Sequence, residues 1–147
     1  MSQSFAVTKL AIKEMTGYEF QKDDLLKEAL DTTGLRSPES NQRLAMLGDR
    51  LMGLIVTDLW YPTGAKRGRA DYLLQRICNN HNLGKAGFRH SLPEHIVVHP
   101  GHRGEVSRKM VANTVEAILG AIWVDSEKDM EAVKSAMIEM ELDPTGA

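Results

Sequence analysis

Cysteine is almost missing from this chain: Cys78 is the only one in 147 residues. A lone thiol closes no disulfide within the chain, so packing has to hold the fold, and a reducing compartment suits it. Long hydrophobic runs are missing as well. A run such as Leu51–Val56 falls far short of the roughly 20 residues a membrane-spanning helix needs. The N-terminal stretch MSQSFAVTKLAIKEM has no apolar signal-peptide core and lacks the arginine-rich, acid-poor look of a transit peptide. No internal repeat, low-complexity tract or linker breaks the sequence. The expectation is one domain over residues 1–147, cytoplasmic or nuclear, with no membrane partner.

A net charge of −2 speaks against a generic nucleic-acid binder, but the charge is unevenly spread. Between Lys66 and Lys109 nine Lys/Arg face three acids, Asp71, Glu94 and Glu105, and all five histidines lie in the same stretch. The rest of the chain has nine Lys/Arg against seventeen acids. A basic middle segment in an acidic molecule is a plausible footprint for a polyanion, and a solvated surface explains it equally well. His90, His95, His99 and His102 follow one another at irregular spacing with no cysteine near, a poor pattern for zinc.

What the sequence has in quantity is helical periodicity. Apolar residues at 5, 7, 10, 12 and 15 predict a helix from Phe5 to Met15, stopped at Gly17. A short helix over Leu25–Leu30 takes Asp23 or Asp24 as its cap. Ser37-Pro38-Glu39 opens a long helix that runs to about Trp60. Further helices are predicted over residues 68–81, 83–88, 105–124 and 127–140, with an irregular loop over 91–104 and order ending near Asp143-Pro144. The fold class is all-α. Trp60 and Trp123, at the ends of the two long helices, read as core anchors.

Within the first long helix, Asp49 stands beside an apolar stripe of Leu47, Leu51, Leu54 and Ile55. Positions i, i+3 and i+7 fall within about 60° of one another on a helix, so Gln42, Ala45 and Asp49 share an edge. In the second long helix Asn113 and Glu116 share a face. If the two helices cross side by side, Asp49 meets Glu116. Converging carboxylates repel unless a proton or cation lies between them, and a hard divalent ion with phosphate chemistry is one answer. Pairing of each acid with Arg43, Arg50 or Lys109 is the other. Gly48 and Gly53, each costing roughly 1 kcal/mol in a helix interior, point to close helix–helix approach.

NQRLAMLGDRLMGLIVTDLW resembles the signature helix of ribonuclease III, a pattern close to NERLEFLGDAVLGLVV. KMVANTVEAILGAIWVDS resembles the second motif of that family, KxLADxxEALIGAIYLD, and LLQRICNNHNLGKAG resembles its helix that touches duplex RNA. The likeness runs over about residues 10–140, in order and in register. It implies the ribonuclease III endonuclease-domain fold and a dimer built partly by Met46, Leu47 and Gly48, with Met46 where the family has an aromatic plug. It also implies a Mg²⁺ site, with Mn²⁺ as a substitute, at Asp49, Glu116 and Asn113, and Lys109 near the scissile phosphate. RNA contacts are implied for Asn80, His81, Lys85 and Arg89, and Lys66, Arg67 and Arg69 could add to them.

Three acids of the family's two motifs are replaced, and two of them, at Ala45 and Asn113, belong to the four that usually hold the metal. Glutamates of the family pattern fall on Gln42 and Ala45, and its second-motif aspartate falls on Asn113. The Mini-III subgroup, which has no appended RNA-binding domain, is similar in this respect. Ribonuclease III-like domains of mitochondrial ribosomal proteins have instead lost their acids and their catalysis. Two outcomes therefore stand open: a metal-dependent endoribonuclease cleaving double-stranded RNA to 5′-phosphate and 3′-hydroxyl ends, or a silent dimer that binds structured RNA or serves as a subunit of a ribonucleoprotein.

Overall fold

The segment from Arg108 to Asp125 is apolar around nearly its whole circumference, and such a helix has to be enclosed by others. In the computed structural model, which describes residues 4–147, it is the axis of the fold. Between Val111 and Ile122 every residue is buried except Asn113. Burial of each large side chain there, such as Ile118 or Leu119, contributes roughly 1.5–3 kcal/mol.

The described residues form seven α-helices and no strand: α1 (Phe5–Thr16), α2 (Asp23–Leu30), α3 (Gln42–Trp60), α4 (Arg67–Ile77), α5 (Asn80–Arg89), α6 (Arg108–Asp125) and α7 (Met130–Glu139). Helices α2, α3, α5 and α7 pack on α6, while α4 leans on α3 and α1 on α7. The all-α expectation holds. Among the described residues no helix is long and apolar enough to cross a membrane.

The helix ends follow local chemistry. Ser107 accepts a hydrogen bond from the Met110 amide at 3.1 Å and starts α6. Gly17, at φ 73°, closes α1 in the left-handed region. Buried Asp125 ties the end of α6 to the α1–α2 turn. It accepts from the Tyr18 hydroxyl at 2.6 Å and from the amides of Gln21 and Lys22 at 2.9 and 2.8 Å. Burial and that bond hold the Tyr18 hydroxyl well above its usual pKa.

Several expectations need correction. Helix α3 starts at Gln42, not at Ser37, because Ser40 adopts a left-handed φ of 53° that breaks the helical path. The α1 stripe is rotated: Thr8, Ile12, Met15 and Thr16 are buried, while Val7 and Leu10 face solvent. Asp23 and Asp24 do not cap α2; they pair with Lys9 and Arg36. Helix α4 stops at Ile77, and α5 begins at Asn80 because the Asn79 side chain caps it. The 91–104 segment contains a 3-10 turn, Leu92–His95, and a bridge from Val97 to Asp31. The tail stays ordered past Asp143, with Leu142 and Pro144 buried. Leu54 is exposed, off the buried stripe.

The decisive contact is between α3 and α6. A Cβ on Gly48 would overlap the Glu116 carbonyl, and one on Gly120 would overlap the Leu44 carbonyl, so the two backbones touch. Gly48 is thus buried against its own chain. Gly53 does not mediate close approach, since a Cβ there meets only Leu74 at an ordinary 3.9 Å. Gly48→Ala is therefore expected to cost about 3 kcal/mol, whereas Gly53→Ala should stabilise by about 0.5–1 kcal/mol. Urea denaturation of both variants checks this, and equal effects would contradict the crossing.

Candidate functional site

The glycine crossing puts the backbone of Gly48 on the carbonyl of Glu116, and so brings the next residue of α3, Asp49, to the Glu116 side chain. Gln42, Ala45 and Asp49 from α3 and Asn113 and Glu116 from α6 line one cavity of about 440 Å³, together with Glu39, Arg43, Met46 and Arg50. The edge predicted from helical spacing is thus the edge that faces the other motif.

Glu116 is only 9% exposed. Its pKa is raised from the ordinary 4.5 to about 8, chiefly by burial, then by a hydrogen bond with the Asp49 carboxyl and by the charge of Asp49; Arg50 acts the other way. A proton kept on Glu116 eases the repulsion between the two carboxyls. Asp49 has a second partner, since Arg50 Nη1 donates to its Oδ2 at 2.6 Å. Both readings of Asp49 therefore coexist: it faces the other acid and it pairs with a local cation. Two carboxylates and an amide oxygen suit a hard divalent ion that keeps several waters, and such an ion would relieve the charge that now holds a proton on Glu116. Among the described residues no three His, Cys, Asp or Glu side chains converge, so Asn113 or water has to supply the third donor.

Lys109 lines a second cavity of about 430 Å³ that shares Glu39, Gln42 and Asn113 with the first, so the two join into one groove. The expected RNA-contacting residues lie on two helices. Lys66, Arg67 and Arg69 stand exposed at the start of α4, and Asn80, His81 and Lys85 stand exposed on α5. Three cations at a helix N-terminus oppose the helix dipole, a local conflict of the kind found at functional surfaces. Arg89 is exposed as well, and it also donates to the Met140 carbonyl at 3.4 Å and pairs with Glu141 at 3.0 Å beside the end of α7. The histidines do not gather. His95 is buried against the Thr8 hydroxyl, and His99 accepts from the Gly101 amide.

Two contributors escaped the sequence reading. Asn41, which precedes α3, is not its side-chain cap; buried, it donates to the Ala29 carbonyl at 2.9 Å and the Thr114 hydroxyl at 3.1 Å, bracketing α2 to α6 below the site. Arg108 donates to the His81 carbonyl and lies over the Phe88 ring, locking α6 to α5. A larger cavity of about 800 Å³, between α1, α2 and the 94–100 segment, holds none of the predicted site residues.

Residues 22–141 match a family model described as ribonuclease-III-like. The chain is 30% identical over 133 residues to ribonuclease 3 of Idiomarina loihiensis, covering 86% of this chain and 56% of that protein. It is 32% identical over 127 residues to ribonuclease 3 of Vibrio vulnificus, covering 83% and 55%. The chain thus spans about half the length of these relatives. Its fold superimposes on the nuclease domain of ribonuclease III from Campylobacter jejuni in two structures. One has a TM-score of 0.79 at 23% identity, covering 90% of this chain and 96% of that one. The other has a TM-score of 0.77 at 25% identity, covering 90% and 92%.

A carboxyl raised in the folded state binds a proton that the unfolded chain has already released. In chelator, stability should therefore fall as pH rises from 4.5 to about 8. The slope has a ceiling of about 1.4 kcal/mol per pH unit for one proton, and solvent in the open cavity lowers it. Glu116→Gln should flatten the slope and be the more stable protein above pH 8. Thermal melts across that range would refute the proton on Glu116 if the two profiles ran parallel.

Proposed function

Because the chain belongs to the ribonuclease III-like family, we propose that it is a metal-dependent endoribonuclease that cleaves double-stranded RNA. The observation that supports this reading is the meeting of Asp49 and Glu116 in an open cavity, with a proton held where a cation could sit. A solvated pair of acids with no task would not need burial of the glutamate.

In this reading Asp49, Glu116 and the Asn113 amide would hold Mg²⁺, or Mn²⁺ in its place. Bound there, the ion would supply Lewis acidity toward the phosphate and activate water. Glu116 has to give up its proton first, which becomes easier as pH approaches 8. Lys109, farther along the groove, offsets charge on the reacting phosphate. The products carry 5′-phosphate and 3′-hydroxyl ends. Lys66, Arg67 and Arg69, with Asn80, His81, Lys85 and Arg89, approach the duplex by its shape and backbone. A homodimer is part of the proposal. Met46 is 63% exposed beside the cavity, free to enter a second copy, with Leu47 behind it packed partly on the core. One Campylobacter structure is described as concerning a region involved in dimer formation. Cys78 is half-buried, and burial, then the charges of Asp49 and Glu116, push its thiol up to about 12.

A second reading has its own support. Arg50 already occupies Asp49, and Ala45 brings no donor to the cavity, as expected of a dimer that binds structured RNA without cutting it.

Incubation of long duplex RNA with the protein in Mg²⁺ or Mn²⁺ separates the two. Cleavage that disappears with chelator and with Asp49→Asn supports the nuclease; intact RNA shifted equally by both proteins supports the silent binder. If cleavage occurs, Arg50→Ala should lower the metal concentration needed for half-maximal rate several-fold, by freeing Asp49 from an exposed pair worth up to about 1 kcal/mol. An unchanged metal requirement would show that Arg50 does not compete.

A further inference from the structure

The chain has only three tyrosines, and Tyr72 is 48% exposed on the outer face of α4. The Arg69 guanidinium lies over its ring at 5.1 Å from the centroid, and Arg76 Nη1 donates to its hydroxyl at 3.1 Å. These two contacts fix the ring at the centre of a stripe with a cation one turn to either side. Helical spacing puts Gly68 and Gln75 on the same face, and Asp71, the only acid of α4, about 100° away. None of the ion pairs among the described residues involves Lys66, Arg67, Arg69 or Arg76, so the positive charge of this helix is not neutralised within the chain.

We propose that the Arg69–Tyr72–Arg76 stripe is a stacking site for an unpaired nucleobase, and so binds single-stranded RNA flanking a duplex. The proposal goes beyond the nuclease reading and does not need it, since it concerns binding without cleavage. A duplex presents phosphates and 2′-hydroxyls but keeps its bases stacked inside, so it has no use for an exposed aromatic ring. An unpaired nucleotide has both a base face for the ring and a phosphate for the guanidiniums. Single-strand binders combine aromatic platforms with cations in this way. An acidic peptide would use the two arginines and leave the ring idle. The face of α4 opposite the stripe carries buried Ala70, Leu73 and Ile77, which anchor the helix, so substitutions at the exposed ring leave the core intact.

The test is fluorescence anisotropy with a labelled, unstructured single-stranded RNA and, in parallel, a blunt RNA duplex, in chelator so that nothing is cut. Tyr72→Phe should bind the single strand as the natural protein does. Tyr72→Leu, which keeps bulk but loses the π face, should weaken it about tenfold and leave duplex binding unchanged. Arg69→Ala should weaken both the affinity and its salt dependence. Equal single-strand affinity for the leucine variant and the natural protein would overturn the proposal. So would an equal loss on single strand and duplex, which would mark the residue as part of a general basic surface. Absence of cleavage in metal would defeat the nuclease and leave this result untouched.

Discussion

Everything in this molecule that bears on chemistry depends on one close contact, the crossing of α3 and α6 at Gly48 and Gly120. The absence of a side chain at both positions lets backbone meet backbone, and the residues on either side are carried into register by that contact alone. Asp49 reaches Glu116 because Gly48 rests on the carbonyl of Glu116. A glycine in a helix interior is locally unfavourable, and here its cost is offset by the packing of the buried α6 axis. Asn41, held between the Ala29 carbonyl and the Thr114 hydroxyl, secures the start of α3 against the same axis.

The consequence is electrostatic. A glutamate pressed into the core beside an aspartate cannot stay ionised at neutral pH without a counter-charge, and Glu116 responds by keeping its proton. Arg50 satisfies Asp49 from the solvent side, so the pair is half-answered by the chain itself. The site is thus balanced between proton, arginine and an external cation. Gln42, Ala45 and Asn113 line the cavity beside the pair, and Glu39 is the one further carboxylate on its lining, set apart from Asp49 and Glu116.

Much of this was legible in the sequence. The 3.6-residue period gave the helices, and the spacing of Asp49 with Gln42 and Ala45, and of Glu116 with Asn113, set which edges would face each other. Other features depend on contacts between distant segments. Ser40 turns left-handed and delays α3, and the rotated stripe of α1 follows from what α1 packs against. Gly48 and Gly53 look alike in sequence, yet only the first lies under another backbone. Arg89 belongs to a basic run, but its partner Glu141 lies at the other end of the chain, and no local pattern could announce that pairing.

If the crossing makes Asp49 and Glu116 one site, they should bind one divalent ion together. Calorimetric titration of Mn²⁺ into the natural protein, Asp49→Asn, Glu116→Gln and the double variant measures that coupling directly. The account predicts that each single variant loses binding as completely as the double one does. Losses that simply add, or binding that survives in the double variant, would place the ion elsewhere and contradict it.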